Sequence, residues 1–144
     1  MTDKYKDPTQ CICTTLRQAT RNVTQLYDDA LRPSGLRTTQ LNTLNAIGEE
    51  GEATVTKLTE LLLIDQTTLT RNLAVLERDG LIKQVQKPDG RLKSVRLTKK
   101  GEQALQAALP LWAEIQEKVT KAISASAWLS MRDELERLAR LSIA

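Results

Sequence analysis

The spacing of apolar residues changes period at Gly80 and changes back at Thr98. Before Gly80 they recur every three or four positions, the repeat of a helix that buries one face. Between Leu81 and Leu97 two short stretches rich in Val, Ile and Leu stand on either side of Lys87-Pro88-Asp89-Gly90-Arg91. Val95 and Leu97 alternate there with Ser94 and Arg96, as strand residues do, and Pro with Asp-Gly makes a turn. A chain with this order folds as helices around a small β-hairpin. The scarcity of aromatics (two Trp, two Tyr, no Phe) agrees, because the core is left to Leu, Val, Ile and Ala.

Six helices follow from the helical repeats. Ile12, Leu16, Ala19, Val23, Leu26 and Ala30 form one face, and Pro33-Ser34-Gly35 ends that helix. Thr38 or Thr39 is expected to cap a second helix carrying Leu41, Leu44 and Ile47, closed by Gly48 or Gly51. A short third helix begins near Thr54 to Thr56 and carries Leu58, Leu61 and Leu62. Asp65 is placed to cap a fourth, with Leu69, Leu73 and Leu76 on its inner face and Gly80 as its stop. Thr98 can cap a fifth through Leu105, Leu109, Trp112, Ile115 and Val119, which Pro110 should kink or split. A sixth carries Trp128, Met131, Leu135, Leu138 and Ser142. The predicted class is mainly α (α+β). Two helices joined by a tight turn and followed by a hairpin make a winged helix-turn-helix.

With Leu69, Leu73 and Leu76 turned inward, about 100° per residue turns Thr67, Arg71, Ala74 and Arg78 outward, flanked by Thr68 and Thr70. Such a face suits a DNA major groove: slim side chains, hydroxyls, and an Arg able to bond guanine through two hydrogen bonds. The N-terminal turn of a recognition helix points into the groove, so Gln66, Thr67, Thr68 and Arg71 are the candidates for base contacts. From Arg71 to Lys100 there are nine basic and three acidic residues, a balance of +6 against +3 for the whole chain. That places the positive charge on this helix and the hairpin, Lys93 included, where phosphates would lie.

Other classes are disfavoured. There is no histidine, which removes the commonest general base and metal ligand, and no Gly-rich phosphate loop, so no enzyme, cofactor or metal centre is expected. No apolar run reaches the roughly 18 residues of a membrane span, and residues 1–10 lack a signal-peptide core, so a cytoplasmic location is expected. Cys11 and Cys13 do not make a disulfide framework. They can be small core-filling residues, a redox or electrophile sensor at the start of the first helix, or a soft-metal pair completed by a partner chain. On a helix their side chains would diverge by about 200°, which strains a disulfide within one chain. Trp112 and Trp128 can serve the core or stack on a ligand.

The first helix and the last two each carry an apolar stripe, and the winged core is too small to cover all three. A symmetric pairing of two chains would bury them. The expected organisation is a single domain, 1–144, with a dimerisation helix at 11–32, the winged helix-turn-helix at 36–101 and further dimerisation helices at 102–144.

The chain resembles the multiple-antibiotic-resistance regulator (MarR) family. The resemblance is carried by Thr67-Thr68-Leu69-Thr70-Arg71-Asn72-Leu73, by Leu76-Glu77-Arg78-Asp79-Gly80-Leu81-Ile82, by Asp89-Gly90-Arg91, and by Val95-Arg96-Leu97-Thr98 with Gly101. Gly35-Leu36 and Gln40 fit the opening of the family's second helix. It implies a homodimeric regulator, usually a repressor, on double-stranded DNA with a pseudo-palindromic operator. Arg91 would enter the minor groove, with Asp89 orienting it or pairing with a nearby Arg, and Gly90 stands where many members carry Arg. It also implies release by a small aromatic effector between the dimerisation helices and the core, or by cysteine oxidation. The alternative is a winged-helix module that binds protein and not DNA.

Overall fold

The computed structural model describes residues 4–86 and 93–143. The helices are α1 (Ile12–Leu31), α2 (Thr38–Glu50), α3 (Val55–Leu62), α4 (Gln66–Arg78), α5 (Lys99–Ile123) and α6 (Ala125–Ala139). The strands are β1 (Ala53–Thr54), β2 (Ile82–Val85) and β3 (Ser94–Leu97). Short 3₁₀ turns at Pro8–Gln10 and Arg32–Ser34 flank α1.

The sheet has three strands where a two-stranded hairpin was expected, in the order β1-β3-β2, all antiparallel. β1 is two residues long, too short to show a period. It pairs Ala53 with Val95, and the buried Ser94 hydroxyl donates to the Glu52 carboxylate beside it.

Leu31, Leu44, Ile47, Leu58, Leu69 and Leu76 are the largest fully buried apolar side chains, joined by Leu36, Leu41, Leu73, Leu81, Ile82 and Val95. Each fully buried side chain of this size contributes roughly 1.5–3 kcal/mol. Nine of these twelve belong to α2, α3, α4 and the sheet. α1 buries only Leu31, α5 only Gly101 and Ala108, and α6 nothing. Leu61, expected in the core, is 46% exposed on the outer side of α3.

Local hydrogen bonds explain where the helices begin and end. Thr54, Asp65 and Thr98 cap α3, α4 and α5 by accepting from Lys57, Thr68 and Gly101 N–H groups. At α2 the cap is Arg37, not Thr38 or Thr39, which are already helical. Gln40 Oε1 accepts from Arg37 N at 3.0 Å, and Asp28 of α1 accepts from Thr38 N at 2.7 Å. A carboxylate from another helix thus does the work expected of a local threonine. Gly80, at φ 76°, ends α4, and Leu81 N donates back to Leu76 O at 2.9 Å. The α3–α4 turn passes through Leu63 at φ 52°, a left-handed conformation costly for a side-chain-bearing residue.

Pro110 does not split α5, which runs unbroken from Lys99 to Ile123. The missing N–H would have met the carbonyl of Gln106, an exposed residue where water can take its place. The flanking Ala108 and Leu111 hold both turns against the core. Among the described residues no helix is long and apolar enough to cross a membrane.

The start of α5 is pressed against the end of α4. Thr98 N donates to Leu81 O, and its hydroxyl donates to Gly80 O at 2.6 Å. A Cβ on Gly101 would lie 2.0 Å from Leu81 O, a backbone atom that cannot step aside. Alanine normally favours a helix over glycine by about 1 kcal/mol. Here overpacking, typically 1–3 kcal/mol or more, should win. Gly101→Ala is therefore expected to lower the midpoint of thermal unfolding, and an unchanged or raised midpoint would show that this contact is not close.

Candidate nucleic-acid interface

The leucine stripe fixes how α4 sits. Leu69, Leu73 and Leu76 are 0%, 7% and 1% exposed, so the opposite face is turned out. Gln66, Thr67, Thr68, Thr70, Arg71, Ala74 and Arg78 are all exposed. At the helix start the Asp65 carboxylate holds Thr68 twice, Oδ1 accepting from the backbone N–H at 2.8 Å and Oδ2 from the hydroxyl at 2.7 Å. These bonds, that of the hydroxyl foremost, keep the Asp65 carboxyl below the usual carboxylate range. The second of them was not anticipated from sequence, although Asp65 and Thr68 have the spacing for it.

Arg71 enters no hydrogen bond or ion pair among the described residues, which leaves its guanidinium available. Arg78 pairs with Asp79 at 3.3 Å, an exposed and therefore weak bridge. At the other end of the face Gln84 of β2 donates to Glu77 of α4, tying the helix to the hairpin. Lys83, Arg96 and Lys93 are exposed on or beside the strands, and Lys99 and Lys100 on the first turn of α5. Lys100 Nζ also donates to Asp79 O at 2.8 Å. The exposed helix face and the exposed cations of the strands thus belong to adjoining elements. Asp89 and Arg91, the expected wing tip, lie outside the described residues.

Cys11 and Cys13 stand apart from this surface, at the start of α1. Cys11 is the N-cap residue, in extended conformation, and Cys13 is exposed in the first turn. The divergence argued for two helical residues therefore does not apply to Cys11, and neither residue fills the core of the chain. Hydrogen bonds from Thr14, its side chain first and then its backbone, lower the Cys11 thiol below its ordinary value.

Two hydrogen bonds tie α1 to α2 and α5, besides the packing of Leu31 in the core. One is Asp28 on α2. The other is the half-buried Tyr27 hydroxyl, whose titration burial pushes up and which donates to Gln116 of α5. Next to them a cavity of about 420 Å³ opens between α2 and α5, lined by Thr38, Thr39, Leu41, Asn42, Asn45, Leu109 and Trp112. It lies between the winged core and one of the C-terminal helices, the region where the resemblance placed an effector. Trp112 is one of the two tryptophans that can stack on a ligand.

Residues 34–92 match the pattern of the MarR family. The transcriptional regulator MosR of M. tuberculosis, solved in complex with DNA, is 42% identical over 91% of this chain and 95% of that one, with a TM-score of 0.83. A mutant MarR from E. coli, solved with operator DNA, has the same fold, with a TM-score of 0.78 at 21% identity over 88% of this chain and 92% of that one. An uncharacterised HTH-type transcriptional regulator of Bacillus cereus is 35% identical over 91 residues, 63% of this chain; the match spans 60% of that relative's length. With its leucine-anchored α4, its antiparallel hairpin and this degree of likeness, the chain belongs to the MarR family of transcriptional regulators.

Proposed function

We propose that the chain is a sequence-specific DNA-binding transcriptional repressor that binds a pseudo-palindromic operator as a homodimer. The observation that carries this reading is the outward face of α4, polar and exposed along its length, with an unengaged Arg71 and exposed cations on the adjoining strands. A helix with these properties can enter a major groove while the strands meet the backbone. The 42% identical MosR was solved with DNA, which supports the same partner here. Gln66, Thr67, Thr68, Thr70 and Arg71 would face the bases and Lys93 a phosphate, with Asp89 and Arg91 at the wing.

The homodimer is supported by apolar surface at both chain ends. Val23 and Leu26 on α1 are 40% and 43% exposed, and Leu129, Met131 and Leu138 on α6 are 57%, 43% and 39% exposed. A second copy would cover them in a twofold contact and set the two α4 helices roughly 34–36 Å apart, one DNA turn.

Two places can receive a releasing signal. The α2–α5 cavity, with Trp112 and Leu109 beside Asn42 and Asn45, has the size and lining for a small aromatic molecule. Cys11, exposed enough to react and with a lowered thiol pKa, can attack a peroxide. The thiolate sulfur then takes one oxygen as sulfenic acid, the O–O bond breaks and water or an alcohol leaves.

Arg71→Ala is expected to weaken operator binding by about fivefold to a hundredfold, the worth of one two-bond contact to guanine, with the dimer intact by size measurement. Native affinity should also fall steeply with salt. Weak affinity for duplex DNA at every salt concentration would instead favour a protein-binding module. Mild peroxide should reduce operator binding by the native protein and by Cys13→Ser but spare Cys11→Ser. Equal responses in all three would exclude the cysteines as the switch.

A further inference from the structure

The Asp65–Thr68 contact fixes the hydrogen-bonding sense of one hydroxyl on the DNA-facing surface. Thr68 Oγ1 lies 2.7 Å from Asp65 Oδ2, while Asp65 Oδ1 is held by the Thr68 N–H at 2.8 Å. An ionised carboxylate has no proton to give, so the hydroxyl hydrogen points at Asp65. The groups hydrogen-bonded to this carboxyl favour its charged form. What remains on the outer side of Thr68 is a pair of oxygen lone pairs. Thr67 and Thr70 differ, for their hydroxyls have no partner among the described residues and can turn either way.

We infer that Thr68 acts only as an acceptor toward DNA, and so selects, at its position in each half-site, the orientation of a base pair that sets the exocyclic amino group, adenine N6 or cytosine N4, on the strand it faces. The inference rests on α4 entering a major groove, as proposed above. The carboxylate behind Thr68 repels phosphate oxygens and the acceptor edges of guanine and thymine alike. Amino hydrogens are the complementary groups that the major groove offers. Thr68 is exposed, in the first turn of α4, at the end expected to meet base edges. Asp65 is then a positioning residue for specificity as well as a cap.

The sense of the bond can be reversed without removing the cap. In Asp65→Asn the amide oxygen can still accept from the Thr68 N–H, since Asn caps as well as Asp. Its amide nitrogen then donates to Thr68 Oγ1, which frees the hydroxyl hydrogen to point outward. Thr68→Val keeps the branched shape and the backbone bond to Asp65 but has no hydroxyl.

The test is selection from a pool of randomised duplexes by the full-length native protein, Asp65→Asn and Thr68→Val, each checked for native-like circular dichroism. The native protein should enrich adenine or cytosine at one symmetric pair of positions by about fivefold or more. Thr68→Val should lose the preference there and keep it elsewhere, and Asp65→Asn should turn it toward guanine or thymine. Identical base preferences in all three proteins would overturn the inference while leaving DNA binding intact. Enrichment of thymine by both native and Thr68→Val would also overturn it, by pointing to methyl contact. Failure of the native protein to enrich any sequence would overturn the DNA-binding reading itself, and this inference with it.

Discussion

The burial of Leu69, Leu73 and Leu76 against the leucines of α2 and α3 sets the rotation of α4, and through it everything the molecule presents to a partner. A helix has one rotation that buries three such residues together. Turning it by one residue would expose two or three leucines, at roughly 1.5–3 kcal/mol each, and drive Thr or Arg inward without partners. The exposed face of α4 is therefore a by-product of core packing. The Asp65 cap and the Gly80 turn fix its two ends, and the Gln84–Glu77 bond holds it to the hairpin.

The same core also defines what it leaves uncovered. α1, α5 and α6 together supply only Leu31, Gly101 and Ala108 to the buried set, while their apolar stripes remain open. The chain thus divides into a well-packed winged unit and helical ends that leave apolar surface open. α1 is hydrogen-bonded to α2 through Asp28 and to α5 through Tyr27 and Gln116, while Leu31 of α1 and Ala104, Leu105, Ala108 and Leu111 of α5 pack on the winged core.

Most of this architecture was legible in the sequence because its determinants are local. The leucine repeat of α4 and its Asp65 cap, the Thr54 and Thr98 caps, and the change of period at the strands all lie within a few residues of the structure they specify. What was not legible depends on distant partners. β1 exists only because β3 lies beside it; α2 starts at Thr38 because Asp28 reaches across from α1; Pro110 is accommodated because neighbouring turns are packed. Leu61 looked like a core residue by spacing, yet α3 is short enough that only Leu58 reaches full burial. At the candidate interface the exposed residues of α4 were anticipated one by one, whereas the second bond between Asp65 and Thr68 and the cavity lined by Trp112 are tertiary or side-chain facts that periodicity does not encode. The wing tip, Asp89 and Arg91, falls outside the described residues.

Methylation interference on operator DNA tests the orientation of α4 most directly, because guanine N7 lies in the major groove. An outward α4 in a twofold dimer predicts two clusters of interfering guanines, about 10–10.5 base pairs apart from centre to centre. Interference confined to minor-groove adenine N3, or a single cluster with no twofold mate, would contradict it.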